Sequence, residues 1–219
     1  MTGQPAQRLR LVFRKEAEVK YISHLDLMRA WERALRRAAV PLAYSQGFNP
    51  RPRLFFAAAL PVGFTGRAEM LDVLLEQRMG LHDFAARLRA QLPVGLWLEN
   101  VNEVPMALPP LPGQVLAAQY EVLVETEGTA DEIKTRLAGL LAMGSLPRYR
   151  QRPGQERAYD LRPLIQELWF VGWRANLAAI GMRLQADPQG TGRPDEVMAA
   201  LGLADAVRGT ERLQLFFHP

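Results

Sequence analysis

Four prolines between Pro105 and Gly113 split this 219-residue chain into two stretches, each carrying the same order of periodic segments. Proline fixes φ and has no backbone donor, so so dense a run neither extends a helix nor enters a central strand. Before it, Arg8 to Lys15 alternates Leu9, Leu11 and Phe13 with Arg8, Arg10 and Arg14, the period of a half-buried strand with a basic outward face. Ser23, followed by Asp26, opens a helix on which Leu27, Met28, Trp31, Leu35 and Ala38 recur at helical spacing, and Pro41 is read as its stop. A short strand at Pro41 to Ser45, a strand over Ala68 to Glu76, a helix over Leu81 to Gln91 and a strand over Leu96 to Val104 complete the order β-α-β-β-α-β.

After the prolines the order recurs: a strand over Gln119 to Glu127, a helix capped by Thr129, strands near Arg148 to Arg152, Leu164 to Trp173 and Leu177 to Gln185, a helix opening at Pro194, and a strand over Arg208 to Phe217. The expected fold is therefore α+β: two tandem ferredoxin-like (βαββαβ) lobes with antiparallel sheets. The first lobe spans 1–104, a Pro-rich linker 105–113, and the second lobe 114–219. The stretch from Gly144 to Trp173 holds more segments than one hairpin needs.

Charge is unevenly placed. Residues 1 to 60 hold eleven Lys and Arg against four acids, a balance of +7, whereas the whole chain sums to +4. A second cluster, Arg148, Arg150, Arg152 and Arg157, is interleaved with Tyr149 and Tyr159. Concentrated cations with aromatics between them suit a phosphate backbone and unstacked bases. The absence of cysteine excludes disulfides, thiolate catalysis and a cluster ligated by this chain's thiolates, and His24, His82 and His218 are too dispersed for a local metal motif. No metal and no cofactor are expected. The longest apolar run, Leu54 to Phe64, is interrupted by Pro61 and Gly63 and falls short of the ~20 residues a membrane span needs. With no secretion signal at the start, a cytoplasmic location without membrane contact is expected.

The densest segment is Tyr44-Ser45-Gln46-Gly47-Phe48-Asn49-Pro50-Arg51-Pro52-Arg53. Gly47 suits a positive φ and the prolines stiffen the exit, so Tyr44, Phe48 and Asn49 form a candidate stacking face beside Gln46, Arg51 and Arg53. On the helix before it, Arg29, Arg33 and Arg36 share a face. Gly190-Thr191-Gly192-Arg193 precedes a helix start, an arrangement suited to an anion. The candidate RNA-binding set is thus Arg29, Arg33, Arg36, Tyr44, Gln46, Phe48, Asn49, Arg51, Arg53, Arg148, Arg150 and Arg193.

The run Tyr21-Ile-Ser-His-Leu-Asp-Leu-Met-Arg29, then Ala43 to Arg53, Ala59-Leu-Pro-Val-Gly63 and Glu69, with Asp160-Leu-Arg-Pro163 and Gly190 to Pro194, resembles the radical SAM-linked protein family. That resemblance implies a bacterial protein encoded beside, or fused to, a radical SAM protein, and so a radical SAM partner. Ribosomal or transfer RNA is the expected ligand, held by an accessory protein with no catalytic cluster of its own. Family members commonly carry histidine at the position of Arg51, so proton transfer is not expected there. Tandem ferredoxin-like lobes also resemble the RAMP endoribonucleases. Under that alternative His24, at a helix start that favours neutral imidazole, acts with Tyr44 or Ser45 on a ribose hydroxyl. A protein-interaction module that binds no RNA is the other alternative.

Overall fold

Alternation puts Leu9, Leu11 and Phe13 of β1 (Gln7–Lys15) on one face, and all three are fully buried. The computed structural model describes residues 4–152 and 155–218, the side chains of 150–157 excepted. The chain is a mixed α+β protein with mostly antiparallel strand pairing and, among the described residues, four α-helices; it divides into two units between Val115 and Leu116.

In the first unit β1 lies between β3 (Thr65–Leu75) and β4 (Leu96–Glu103), and β2 (Leu54–Phe56) pairs with the far side of β3, every pair antiparallel. Helices α1 (His24–Arg37) and α2 (Leu81–Arg89) supply Trp31, Leu35, Phe84 and Leu88 to the core. Trp31 meets Phe13 edge-on at 4.8 Å between ring centroids, a favoured aromatic geometry. The strand expected at Pro41–Ser45 is instead two isolated bridges, Leu42 to Leu75 and Tyr44 to Pro52. Pro41 offers only its carbonyl, to Glu76, so the ladder does not propagate, and the apolar Leu54–Phe56 takes the place beside β3.

The start of α1 follows its spacing: the Ser23 hydroxyl accepts from the Asp26 amide at 3.1 Å. Asp26 does not return its bond to the Ser23 backbone but accepts the Ser23 hydroxyl proton at 2.7 Å. The helix ends before Pro41. Ala39 takes φ +51°, and the amides of Ala39 and Val40 donate to the carbonyls of Arg36 and Leu35, the paired bonds of a Schellman motif.

The outward face of β1 is basic in sequence but neutralised in place. Asp72 of β3, wholly buried, accepts from Arg8 at 2.6 and 2.9 Å and from Arg10 at 2.8 and 3.0 Å. Arg14 pairs with Glu16 and Glu99. Arg8 also donates to the carbonyls of Leu108 and Pro109, at 2.6 and 3.0 Å, so the proline-rich segment 105–113 is pinned onto the first unit. Boundary and prolines therefore do not coincide, because a buried guanidinium supplies the donors that proline lacks.

In the second unit β5 (Val115–Val124) lies between β9 (Leu177–Asp187) and β11 (Val207–Phe217), and β8 (Ile165–Arg174) pairs with the other side of β9. Helix α3 (Ala130–Ala142) opens with a complete capping box between Thr129 and Glu132. The surplus segments between α3 and β8 are an added hairpin, β6 (Pro147–Arg152) with β7 (Gln155–Asp160). The two-residue β10 (Gly190–Thr191) leads into α4 (Pro194–Ala200). Gly181 of β9 faces Trp169 of β8 so closely that a Cβ there would stand 2.1 Å from the indole.

The base of the added hairpin is latched by Asp160, whose carboxylate accepts from the amides of Leu146 at 2.7 Å and Arg162 at 2.9 Å. These backbone bonds hold its carboxyl below the usual carboxylate range. A depressed folded-state value means that the contribution is complete above the unfolded pKa, about 3.9, and is lost as pH falls through the folded one. Protection of the Leu146 and Arg162 amides, taken relative to the intrinsic exchange rate at each pH, is therefore expected to be high at neutral pH and to fall only below about pH 4, whereas in Asp160→Asn this acid step disappears. No helix among the described residues is long and apolar enough to cross a membrane.

Candidate nucleic-acid interface

Helix α1 buries Leu27, Trp31, Ala34 and Leu35, and its 3.6-residue repeat turns Arg29, Arg33, Arg36 and Arg37 outward. Two of the stripe's arginines have acidic neighbours: Arg29 meets Asp26 at 3.1 Å and Arg36 meets Glu32 at 2.7 Å. The Ser23 hydroxyl and then Arg29 hold the Asp26 carboxyl below its ordinary range, so it stays charged beside that arginine. Exposed pairs of this kind contribute little and yield readily to a better anion. Arg37 turns away to the Gln91 carbonyl at 2.7 Å.

The loop after the helix is a hairpin. Tyr44 bridges Pro52, the Ser45 amide donates to the Arg51 carbonyl at 2.9 Å, the Arg51 amide donates to the Ser45 hydroxyl at 3.0 Å, and the Arg53 amide donates to Ala43 at 2.8 Å. Gly47 takes φ +120° at the turn, as its place in the sequence predicts. Gln46, Phe48, Asn49, Pro50 and Arg51 are exposed, Phe48 completely. Tyr44 differs: it is half-buried against the core, and the Arg36 guanidinium lies over its ring at 5.9 Å, within cation–π range. That contact joins helix stripe and hairpin into one surface.

Arg33, Arg51 and Arg53 make no hydrogen bond or ion pair through their guanidinium groups among the described residues. Arg53 lines a cleft of about 150 Å³ with Phe55, Leu74, Met106 and Leu108. Arg33, Arg51, the two weakly paired arginines and the outward Phe48 are groups able to hold phosphates and stack on a flat ring, whereas Arg53 lies with Arg8, Phe55 and Leu74 on the sheet face away from helix α1. Sequence reasoning missed Phe55 and the exposed apolar trio Tyr21, Leu25 and Val62, the last brought to the start of α1 by a bond from the Gly63 amide to the Lys20 carbonyl at 2.8 Å. Tyr21 opens the matching motif, which was the available signal; the cleft depends on a distant segment.

His24, Tyr44 and Ser45, the alternative catalytic residues, each make contacts within the first unit. The His24 ring stands edge-on to Phe56 at 5.4 Å, Tyr44 lies under Arg36, and the Ser45 hydroxyl receives the Arg51 amide. Arg148, Arg150 and Arg193 belong to the second unit. Arg148 donates to its neighbour Pro147, beside an exposed Tyr149; the side chain of Arg150 lies outside the described residues. Arg193 is bound by Asp195 at 2.9 and 3.2 Å. The glycines before it serve close packing: a Cβ on Gly190 would stand 2.6 Å from Leu164, and one on Gly192 3.1 Å from the Leu164 carbonyl. The second unit also holds a cavity of about 300 Å³ lined by Val124, Ile133, Leu137, Ile180 and Leu201 with Glu132 and Arg136. Among the described residues no group of three or more His, Asp or Glu is placed to hold a metal ion.

Fold and surface define a mixed α+β protein with an arginine-rich face. The chain belongs to the family described as "Uncharacterized protein conserved in bacteria (DUF2344)", which it matches over residues 8–194. No curated protein matches the sequence. Among solved structures it is similar to a chain of "Crystal Structure of a Cbf5-Nop10-Gar1 Complex", at 8% identity and a TM-score of 0.48, over 86% of this chain and 45% of that one. The chain thus spans under half the length of that neighbour.

Proposed function

We propose that this protein is an RNA-binding accessory protein that presents ribosomal or transfer RNA to a radical SAM enzyme supplied by another chain. The observation that carries the reading is the Arg36 guanidinium over the Tyr44 ring, which makes one surface of the helix stripe and a hairpin bearing uncommitted arginines. The partner is proposed from the resemblance of residues 21–29 and 43–53 to the radical SAM-linked proteins. We read each unit as a ferredoxin-like lobe: with the added hairpin β6–β7 and the short β10 set aside, the strands numbered within a unit run 4-1-3-2 in both, as β4-β1-β3-β2 and β11-β5-β9-β8.

The test is an RNA titration across salt concentrations. Phosphate contacts release counterions, so log K against log [salt] should fall with a slope of about −2 or steeper if three or more arginines are engaged on single-stranded RNA. No affinity at low salt, or affinity indifferent to salt, would reject the reading. For the partner, co-purification of a radical SAM protein is expected to persist after nuclease treatment.

A further inference from the structure

Phe48 stands completely exposed at the tip of a hairpin that cannot fold it back. Below the tip, Ser45 and Arg51 are tied by two bonds of 2.9 and 3.0 Å, Tyr44 bridges Pro52, and Pro50 and Pro52 remove freedom from the returning strand. Gly47 turns the chain at φ +120° in open space, with no atom within 4 Å of where a Cβ would stand. The glycine therefore serves the turn's conformation and not a close contact, and its effect is to aim the next side chain outward. Asn49 and Arg51 are exposed beside the ring, and the guanidinium groups of Arg51 and Arg53 are uncommitted. Tyr44, half-buried beneath Arg36, offers no comparable open face.

We propose that Phe48 is a stacking post for an unpaired base, so that the RNA taken by this surface is single-stranded or looped and not continuous duplex. This deepens the RNA-binding reading and rests on it. In A-form duplex the bases are stacked on one another and the deep major groove is closed to side chains, so a phenyl ring on a rigid tip finds a base face only where the strand is unstacked. The exposed Arg51 beside the tip favours this ligand over an apolar protein pocket, because a strand that places a base on Phe48 also carries phosphates past that guanidinium.

The test uses the full chain with a labelled oligoadenylate and a blunt RNA duplex of the same length. Wild-type protein is expected to prefer the single strand. Phe48→Ala should lose about tenfold on oligoadenylate and little on duplex, whereas Phe48→Trp keeps the affinity. A 2-aminopurine in the strand should change its fluorescence on binding wild type and not Phe48→Ala. Full exposure makes the substitution safe for folding, and circular dichroism checks it. Unchanged oligoadenylate affinity in Phe48→Ala, or equal affinity for duplex and single strand, overturns the stacking role while the RNA-binding reading stands. Absence of binding to either RNA by wild type overturns the reading beneath it. If Phe48→Ala keeps its RNA affinity and instead loses a co-purifying protein that survives nuclease, the post serves a protein and the proposal falls.

Discussion

Replacing Asp72 with alanine is expected to destabilise the first unit by about 3–5 kcal/mol, the cost of leaving a buried charge without its partner. Asp72 is wholly buried and accepts from two guanidinium groups, and Arg8 is itself almost fully buried. Arg10 is nearer the surface and can turn to water, so the penalty falls mainly on Arg8. Out of a typical domain stability of about 5–15 kcal/mol this is a large fraction. Arg8 also holds the carbonyls of Leu108 and Pro109, so its displacement should free the proline-rich segment. Amide exchange in β1 and β3 and limited proteolysis near residues 105–113 should both quicken. An unchanged urea midpoint with both readouts unmoved would show that the network contributes little. A double replacement, Arg8→Met with Asp72→Leu, is expected to cost less than Asp72→Ala, because it removes the fully buried charge and leaves only Arg10, which can turn to water.

The triple replacement Arg33→Ala, Arg51→Ala and Arg53→Ala is expected to lower RNA affinity on the order of a hundredfold at low salt and to flatten the salt dependence by about two in log–log slope. These three guanidinium groups make no hydrogen bond or ion pair among the described residues, so their removal takes charge from the surface and costs only the packing of Arg53 in its cleft. Stability should move by less than about 0.5 kcal/mol, as for surface changes away from structural features. Arg29→Ala or Arg36→Ala alone should have smaller effects, since Asp26 and Glu32 already offset part of each charge. A triple variant with wild-type affinity and slope would move the binding face elsewhere. Loss of affinity accompanied by unfolding would instead show that the arginines brace the hairpin.

What could be read in advance follows the range of the interactions. Helix α1 was legible because its cap and apolar stripe are set by residues three and four apart. The choice between 41–45 and Leu54–Phe56 as the second strand was not, since both look extended locally and the decision lies in pairing with β3, Leu54 opposite Val73. The face of β1 was legible as outward and basic, but its neutralisation needs Asp72, which lies 64 residues beyond Arg8. At the site, the hairpin's proline, glycine and aromatic content marked it as a turn with ligand-binding groups, yet nothing local decides that Tyr44 packs inward and Phe48 outward. Two other stretches of the resemblance proved to be architecture: Asp160 and Arg162 latch the base of the β6–β7 hairpin, with Arg162 on the Leu141 carbonyl at 2.7 Å, and Gly190 and Gly192 admit Leu164. Of these three stretches, 43–53 is the one with a long exposed run, residues 45–51.

A hairpin fastened at its neck chiefly by main-chain bonds and one serine hydroxyl leaves its apex, 47–50, largely decoupled from the core. Replacements there can alter what is grasped without putting folding at risk. Single apical side chains can therefore be exchanged while the neck and the helix beneath it keep their contacts.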